Sequence, residues 1–359
     1  MNILLIASGG NDNFGDESMM NYIIDKYRES GDDVTVGYFN KKKEVFERRY
    51  KYPYIEIKAI TNRVPLSLHI SKIMYRKYAK DFDKLVICGG GNISTIYPNY
   101  VKNILAIASV FEFKKKKVEL RPQSIGPFNG KFERKNISQL KKLITISDVF
   151  LIRDEASYDL VDSLFDNSVS KRTTLIEDDA WWLESKNPKI DTIDKVLEEN
   201  KLVCLSIRPF KLDTGEQKDR IVNWFVELDK KLIELGYTPI YIPISYISNN
   251  DEYQDNMFLK GKVSEKSIFL NDLCEVSSLR PENIKFLVSK CKLSIGLSYH
   301  FNVFSISQNI PTISLYYDEY YKIKNGGLLS FKGNLDNLLN PLVNDVDEVM
   351  WRIKKIFNI

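Results

Sequence analysis

The chain has 359 residues, with 52 Lys and Arg against 48 Asp and Glu, a formal charge of +4, 43% hydrophobic and 28% charged residues. At roughly 100 to 200 residues per domain this length predicts two domains, each burying its own core, and it excludes peptide hormones, toxins and single small modules. The near balance of charge excludes a dedicated nucleic-acid binder, and the ordinary apolar content with 17 glycines excludes a disordered chain.

Four cysteines, Cys88, Cys204, Cys274 and Cys291, stand singly with no C-x-x-C pair and no histidine beside them. That argues against a zinc site or a disulfide framework and for a reducing compartment. The chain starts without basic residues, and its first apolar run, from Ile3, is too short for a signal peptide. No stretch approaches the roughly 20 apolar residues that span a bilayer. The expected location is cytoplasmic, with peripheral contact at the inner face of the cell membrane left open. The basic runs Lys41 to Lys43 and Lys114 to Lys117 suit either a solvated face or a phosphate-rich surface such as lipid headgroups or a lipid-linked diphosphate.

Short Ile, Val and Leu runs that end in glycine or polar loops and alternate with helix-period segments are the mark of a parallel sheet buried on both faces. Residues 2–8 read as a first strand, 17–29 as a helix and 33–38 as a second strand. Strands at 84–88, 117–120 and 149–153 follow, running into Gly89-Gly90-Gly91, Arg121-Pro122-Gln123-Ser124 and Asp154. The pattern restarts with strands at 201–207, 238–242, 293–296 and 312–315, a helix over 301–308 and a terminal helix over 346–357. The fold class is therefore α/β, with two Rossmann-like doubly wound domains. Their expected extents are 1–183 and 191–345, joined by a polar linker around Pro188, with 346–359 as a C-terminal helix that could return to the first domain.

Open α/β sheets bind ligands beyond the carboxyl ends of their strands, and the chemically distinctive residues of this chain fall there. The first loop contains Asn13-Phe14-Gly15-Asp16-Glu17. It has the glycine spacing of a P-loop but carries acids where Lys and Ser or Thr are required. Asp16 and Glu17 can serve hydroxyl deprotonation, or simply favour a helix N-terminus. Gly89-Gly90-Gly91-Asn92 reads as a glycine-rich turn giving close approach of a ligand or domain, and 121–127 as a third, rigid loop offering Gln123 and Ser124. His300, one of two histidines, lies where a helix starts after a strand, a setting that modulates imidazole acidity.

Together these loops resemble the polysaccharide pyruvyl transferase family. The resemblance runs in order through 13–17, 89–92, 123–127, Arg153-Asp154-Glu155-Ala156-Ser157, Asp178-Asp179-Ala180, Ser206-Ile207-Arg208-Pro209, Pro243-Ile244-Ser245 with Asp251-Glu252, and 296–318. It implies two Rossmann-like domains facing across a cleft, as in GT-B glycosyltransferases, with the first domain on the acceptor side and the second on the donor side. It also implies transfer of pyruvate from phosphoenolpyruvate onto two hydroxyls of a sugar as a cyclic ketal, in capsule or exopolysaccharide biosynthesis, with release of phosphate and no cofactor or metal. The acceptor is a surface polysaccharide sugar or its lipid-linked precursor, and no nucleic acid is involved.

Under that resemblance His300 is the candidate general acid, with Asp16, Glu17 or Asp178 as candidate bases. Arg208, Arg153, Arg121, Ser298, Tyr299 and His300 are candidates for holding the donor, since arginine binds phosphate and carboxylate bidentately. Asn13, Gly15, Gly90, Gly91, Asn92, Gln123, Ser124 and Trp181 are the candidate loop and acceptor residues; of Trp181 and Trp182, at most one can face a sugar. The family's Arg-Leu-His is Ser298-Tyr299-His300 here, so either another cation such as Arg121, Lys322 or Lys324 replaces the missing arginine, or the donor binds differently, or the donor is a different one. The rivals are a GT-B glycosyltransferase using a nucleotide sugar and an inactive sugar-binding homologue.

Overall fold

A computed structural model describes residues 1–7, 9, 12–39, 50–59, 68–208, 215–246 and 254–358. The chain divides into two compact units. The first comprises Met1–Asn11 and Asp16–Asp179, the second Asp12–Gly15 and Ala180–Ile359. The basic run at Lys41 to Lys43 and the acids Asp251 and Glu252 lie outside the described residues. No described helix is long and apolar enough to cross a membrane.

The first unit is built on a parallel sheet of eight strands, β1 (Asn2–Ile6), β2 (Asp33–Tyr38), β3 (Tyr54–Glu56), β4 (Lys84–Ile87), β5 (Gly90–Ile93), β6 (Lys117–Ile125), β7 (Val149–Ile152) and β8 (Thr173–Leu175). Their order is β3-β2-β1-β4-β6-β7-β8, with β5 beside the far half of β6. Ile3 to Ile6 are all buried, as the unbroken aliphatic run requires of a central strand covered on both faces. The helices are α1 (Phe14–Glu29), α2 (Leu68–Asp81), α3 (Tyr100–Phe113), α4 (Glu133–Ile146) and α5 (Glu155–Leu164). Asp154 caps α5 by accepting from Ser157 N at 2.8 Å. In the basic run after α3, Lys116 and Lys117 pair with Asp83 and Asp148.

Two expected loops are strands. The triple glycine enters β5, and Arg121 to Ser124 continue β6 to Ile125. The sequence hid this because Pro122 has no N–H for a ladder; the pairing of β6 with β7 shifts register between Leu120 and Gln123, and β5 pairs at Gln123 and Ile125. The glycines serve a close approach, but to the chain's own backbone: a Cβ on Gly89 would stand 2.5 Å from the Pro122 carbonyl oxygen. Gly90, at φ +154°, holds a conformation that side chains disfavour.

The second unit holds a six-stranded parallel sheet, ordered β11-β10-β9-β12-β13-β14. Its strands are β9 (Leu202–Ser206), β10 (Thr238–Tyr241), β11 (Ile268–Phe269), β12 (Leu293–Gly296), β13 (Thr312–Leu315) and β14 (Leu338–Leu339). Its main helices are α6 (Asp191–Glu199), α7 (Gly215–Glu234), α8 (Pro281–Ser289), α9 (Tyr299–Ile306), α10 (Glu319–Lys332) and α11 (Val346–Phe357). The terminal helix α11, considered for a return to the first half, is built into the second core. Val346, Val349, Met350 and Ile353 recur at helical spacing and are buried there, and the Trp224 indole of α7 donates to Asn344 O at 2.9 Å.

Candidate functional site

In the second unit the loops after β10 and β12 meet the short segment Asp12–Gly15, and the loop after β9 joins the β10 loop through Asp255. Asp255, with a fully buried side chain, ties the loops after β9 and β10 together. Its Oδ1 accepts from Arg208 Nε at 3.1 Å, and its Oδ2 accepts from the amides of Ile244 and Ser245 at 3.0 and 2.8 Å. Arg208 is thus aimed by a buried carboxylate while its side chain stays 21% exposed. Asn256, at φ +72°, accepts from Ile207 N through Oδ1 at 2.8 Å and fixes the residue before the arginine. The Tyr317 hydroxyl donates to Arg208 O at 3.4 Å; burial raises that phenol's pKa.

The segment from the first loop is held firmly in this unit. Asn13 bridges Ser245, Phe14 N donates to Ile244 O at 2.9 Å, and Tyr246 N donates to Asp12 O at 2.9 Å. The rings of Phe14 and Tyr246 lie 4.3 Å apart, and the Asn13 side chain accepts from Gly15 N at 2.9 Å. His300 packs directly on this turn: a Cβ built on Gly15 would be 2.1 Å from His300 Nδ1 and 2.3 Å from Cγ. Tyr299 meets the imidazole edge-on at 5.3 Å. Ser298 is the N-cap residue of α9 and is buried with Tyr299. Asn325 of α10 fixes the approach to α9 by donating to Leu297 O and Leu315 O at 2.9 and 2.8 Å.

The first unit holds Arg121, Arg153 and Asp178 in buried ion pairs. Arg121, 7% exposed, donates from Nε and Nη2 to Asp179 at 3.1 and 2.5 Å and from Nη1 to Glu119 at 2.9 Å. Burial pushes the Asp179 carboxyl up to about 6 against the pull of Arg121. Glu119 also pairs with Lys84 at 2.6 Å. Arg153, 2% exposed, donates to Asp178 at 2.6 Å and to Ser124 Oγ at 2.7 Å, and Ser124 donates on to Asp154 at 2.6 Å. Glu17 is fully buried and accepts from the Tyr50 hydroxyl at 2.6 Å. Gln123 is also buried, donating to Cys88 O and Arg121 O at 2.9 and 2.7 Å.

The predicted residues therefore fall into two groups. Asn13, Gly15, Arg208, Ser298, Tyr299 and His300 belong to the second unit, and Asp16, Glu17, Gly90, Gly91, Asn92, Arg121, Gln123, Ser124, Arg153 and Asp178 to the first. Gly90 and Gly91 are buried, while Asp16 and Asn92 keep partial exposure. The candidate donor cations Arg121 and Arg153 are committed to buried carboxylates. Trp181 is half-buried under Lys332, whose ammonium lies 5.9 Å from its ring centre, and Trp182 is 51% exposed. Of the substitute cations in the second unit, Lys322 is 3.8 Å from Glu319, whereas Lys324 is only 8% exposed and donates to the Tyr320 hydroxyl at 2.5 Å. Sequence reasoning missed Asp255, Asn256 and Asn325, which act through side-chain bonds to backbone and carry no spacing signal.

The family model of polysaccharide pyruvyl transferase matches residues 13–319. No curated protein matches by sequence. Among solved structures, the chain is similar to the UDP-GlcNAc 2-epimerase of Methanocaldococcus jannaschii, with TM-score 0.62, 16% identity, and coverage of 100% of this chain and 92% of that one. It is also similar to a putative UDP-N-acetylglucosamine 2-epimerase of Listeria monocytogenes, with TM-score 0.60, 11% identity, and coverage of 100% and 88%. These neighbours identify a GT-B-type fold, with parallel sheets in two domains. With the match spanning the first-loop motif through the segment that carries His300, the chain belongs to the polysaccharide pyruvyl transferase family.

Proposed function

We propose that this transferase moves pyruvate from phosphoenolpyruvate onto two hydroxyls of a surface-polysaccharide sugar or its lipid-linked precursor, forming a cyclic ketal. The observation that carries the reading is the packing of His300 on the Asn13–Gly15 turn within the same strand-end cluster as Arg208. An imidazole at a helix start, linked through the Asn13–Gly15 turn and Asp255 to a carboxylate-aimed guanidinium, matches the needs of a donor that must be both held as an anion and protonated at carbon.

His300 gives its proton to the methylene of the donor, leaving an oxocarbenium-like centre at C2. One sugar hydroxyl adds there and the C2–O bond to phosphate breaks. The second hydroxyl then closes the ring. Of the two hydroxyl protons released, one restores the acid and the other leaves with phosphate. Arg208, with Ser298 and Tyr299, holds the phosphate and carboxylate of the donor and stabilises charge that builds on them. Asp16, partly exposed at the start of α1, is the proposed base, because Glu17 and Asp178 are buried in contacts of their own. The reaction as written needs no metal and no cofactor.

The test is mass spectrometry of lipid-linked oligosaccharides after incubation with phosphoenolpyruvate. The expected product gains the mass of pyruvic acid less one water. A parallel incubation with nucleotide sugars covers the glycosyltransferase alternative: a hexose mass gain there, with none from phosphoenolpyruvate, overturns the proposal. No gain from either donor favours the sugar-binding homologue.

A further inference from the structure

We infer that Gly15 is a positioning residue: it forms the floor on which the His300 imidazole rests and leaves Nε2 as the nitrogen that exchanges the proton. The inference rests on the reading of His300 as the acid, and it gives the first loop a role in the second unit's chemistry rather than in acceptor binding.

Gly15 is the second residue of α1, and its φ lies outside the left-handed region. Its backbone is therefore one that any residue adopts, and glycine there weakens the helix relative to alanine. Space explains its presence. A Cβ would fall 2.1 Å from His300 Nδ1, 2.3 Å from Cγ and 2.7 Å from Cβ, all far below carbon contact distance. The last of these is decisive, because the base of a side chain cannot swing aside as a flexible tip can. The glycine lies against the Cβ–Cγ–Nδ1 edge of the imidazole. Nε2, across the ring from that edge, is the nitrogen turned away from the turn.

The floor is itself braced. Gly15 N donates to Asn13 Oδ1 at 2.9 Å, Phe14 N to Ile244 O at 2.9 Å, and the Phe14 ring packs tilted against that of Tyr246. The histidine has a matching brace, since Asn325 holds Leu297 O just before the turn into α9. With both partners anchored, a methyl group on Gly15 has to displace the imidazole or part the two segments. Proton transfer is sensitive to such displacement because the donor must come within hydrogen-bond reach of the accepting atom.

The experiment compares wild type with Gly15→Ala by nuclear magnetic resonance of protein labelled with ¹⁵N-histidine. Only His69 and His300 contribute signals, and His300→Asn identifies which belongs to residue 300. In Gly15→Ala the ring-nitrogen shifts and titration midpoint of His300 should move while those of His69 stay. Turnover with phosphoenolpyruvate should fall roughly 10- to 100-fold with little change in KM for the acceptor. Added to His300→Asn, the same substitution should change residual turnover by less than about twofold, because the proton donor whose position it shifts is already absent. If Gly15→Ala does not fold, thermal melts of Gly15→Ala with His300→Gly decide: removing the whole side chain should restore folding. Unchanged His300 resonances in folded Gly15→Ala, or no rescue by His300→Gly, overturns the inference. Moved resonances in an enzyme that forms no ketal would keep the positioning role and overturn only the proposed donor chemistry.

Discussion

The two units treat their charged residues in opposite ways. In the first, Arg121 and Arg153 lie beneath the surface and each meets at least one buried carboxylate at hydrogen-bond distance. In the second, Arg208 is held by the buried carboxylate of Asp255 and remains partly exposed, and His300 packs against the Gly15 backbone. A buried, mutually neutralised pair is costly to break and offers little field to a ligand. A partly exposed cation remains within reach of an incoming anion. The contrast separates residues that hold the first unit together from residues suited to chemistry, although Arg153 and Arg208 both follow the end of a strand.

The largest effect that sharpens this comparison is expected at His300. His300→Asn keeps a donor group but no titratable proton, so turnover with phosphoenolpyruvate should fall roughly 10² to 10⁴-fold while the melting temperature hardly changes. The sign of the pH response follows: an acid must be protonated, so the wild-type rate falls on the alkaline side as the imidazolium is lost. That limb should vanish from the residual activity of the variant. Near wild-type turnover with the limb intact removes His300 from the role of acid.

Arg153→Met tests the other side. It leaves Asp178 as an uncompensated buried charge, so the protein should lose about 3–5 kcal/mol of stability in denaturant titrations. Donor affinity, measured under conditions where the variant is still folded, should be retained. A stable variant that has lost donor binding would break the distinction between the two units.

Arg208→Ala should weaken phosphoenolpyruvate binding by roughly 10- to 100-fold, the value of a charge-assisted hydrogen bond to an anion. Arg208→Lys should recover only part of this, because a point charge does not reproduce the planar fork. Calorimetric titration of both variants gives the measure, and unchanged affinity in Arg208→Ala places the donor elsewhere.

The smallest effect is expected at Tyr50→Phe. It removes the hydroxyl that donates to buried Glu17 and should cost about 1–3 kcal/mol, the penalty for an acceptor that loses its partner. Full activity in that variant would mark the Tyr50–Glu17 contact as structural; a loss of turnover without a loss of stability would return Glu17 to the reaction.

The chain's own alphabet determined the repeated α/β pattern. Aliphatic runs such as Ile3 to Ile6 and Leu293 to Gly296 are buried along their whole length, so local composition suffices to find them. The terminal helix was legible in the same way, from its helix-period pattern, and the structure adds the Asp345 cap. The distinctive residues at strand ends were legible too, because glycine, histidine and arginine stand out after aliphatic runs.

Partnership was not legible. Nothing local separates Arg153, saturated by Asp178, from Arg208, held by Asp255 with part of its side chain exposed; what differs is which carboxylate the folded chain brings alongside and how much water remains. Likewise Gly15 reads as a loop residue in sequence, and Gly89 to Gly91 as a turn. Only the folded chain puts Gly15 under an imidazole 285 positions later and runs the glycines along Pro122 as an added strand. The physical reason is the same in each case. Strand and helix periods arise from neighbours along the chain, whereas burial, ion pairing and close approach arise from residues distant in sequence, and those are fixed only when the tertiary structure closes around them.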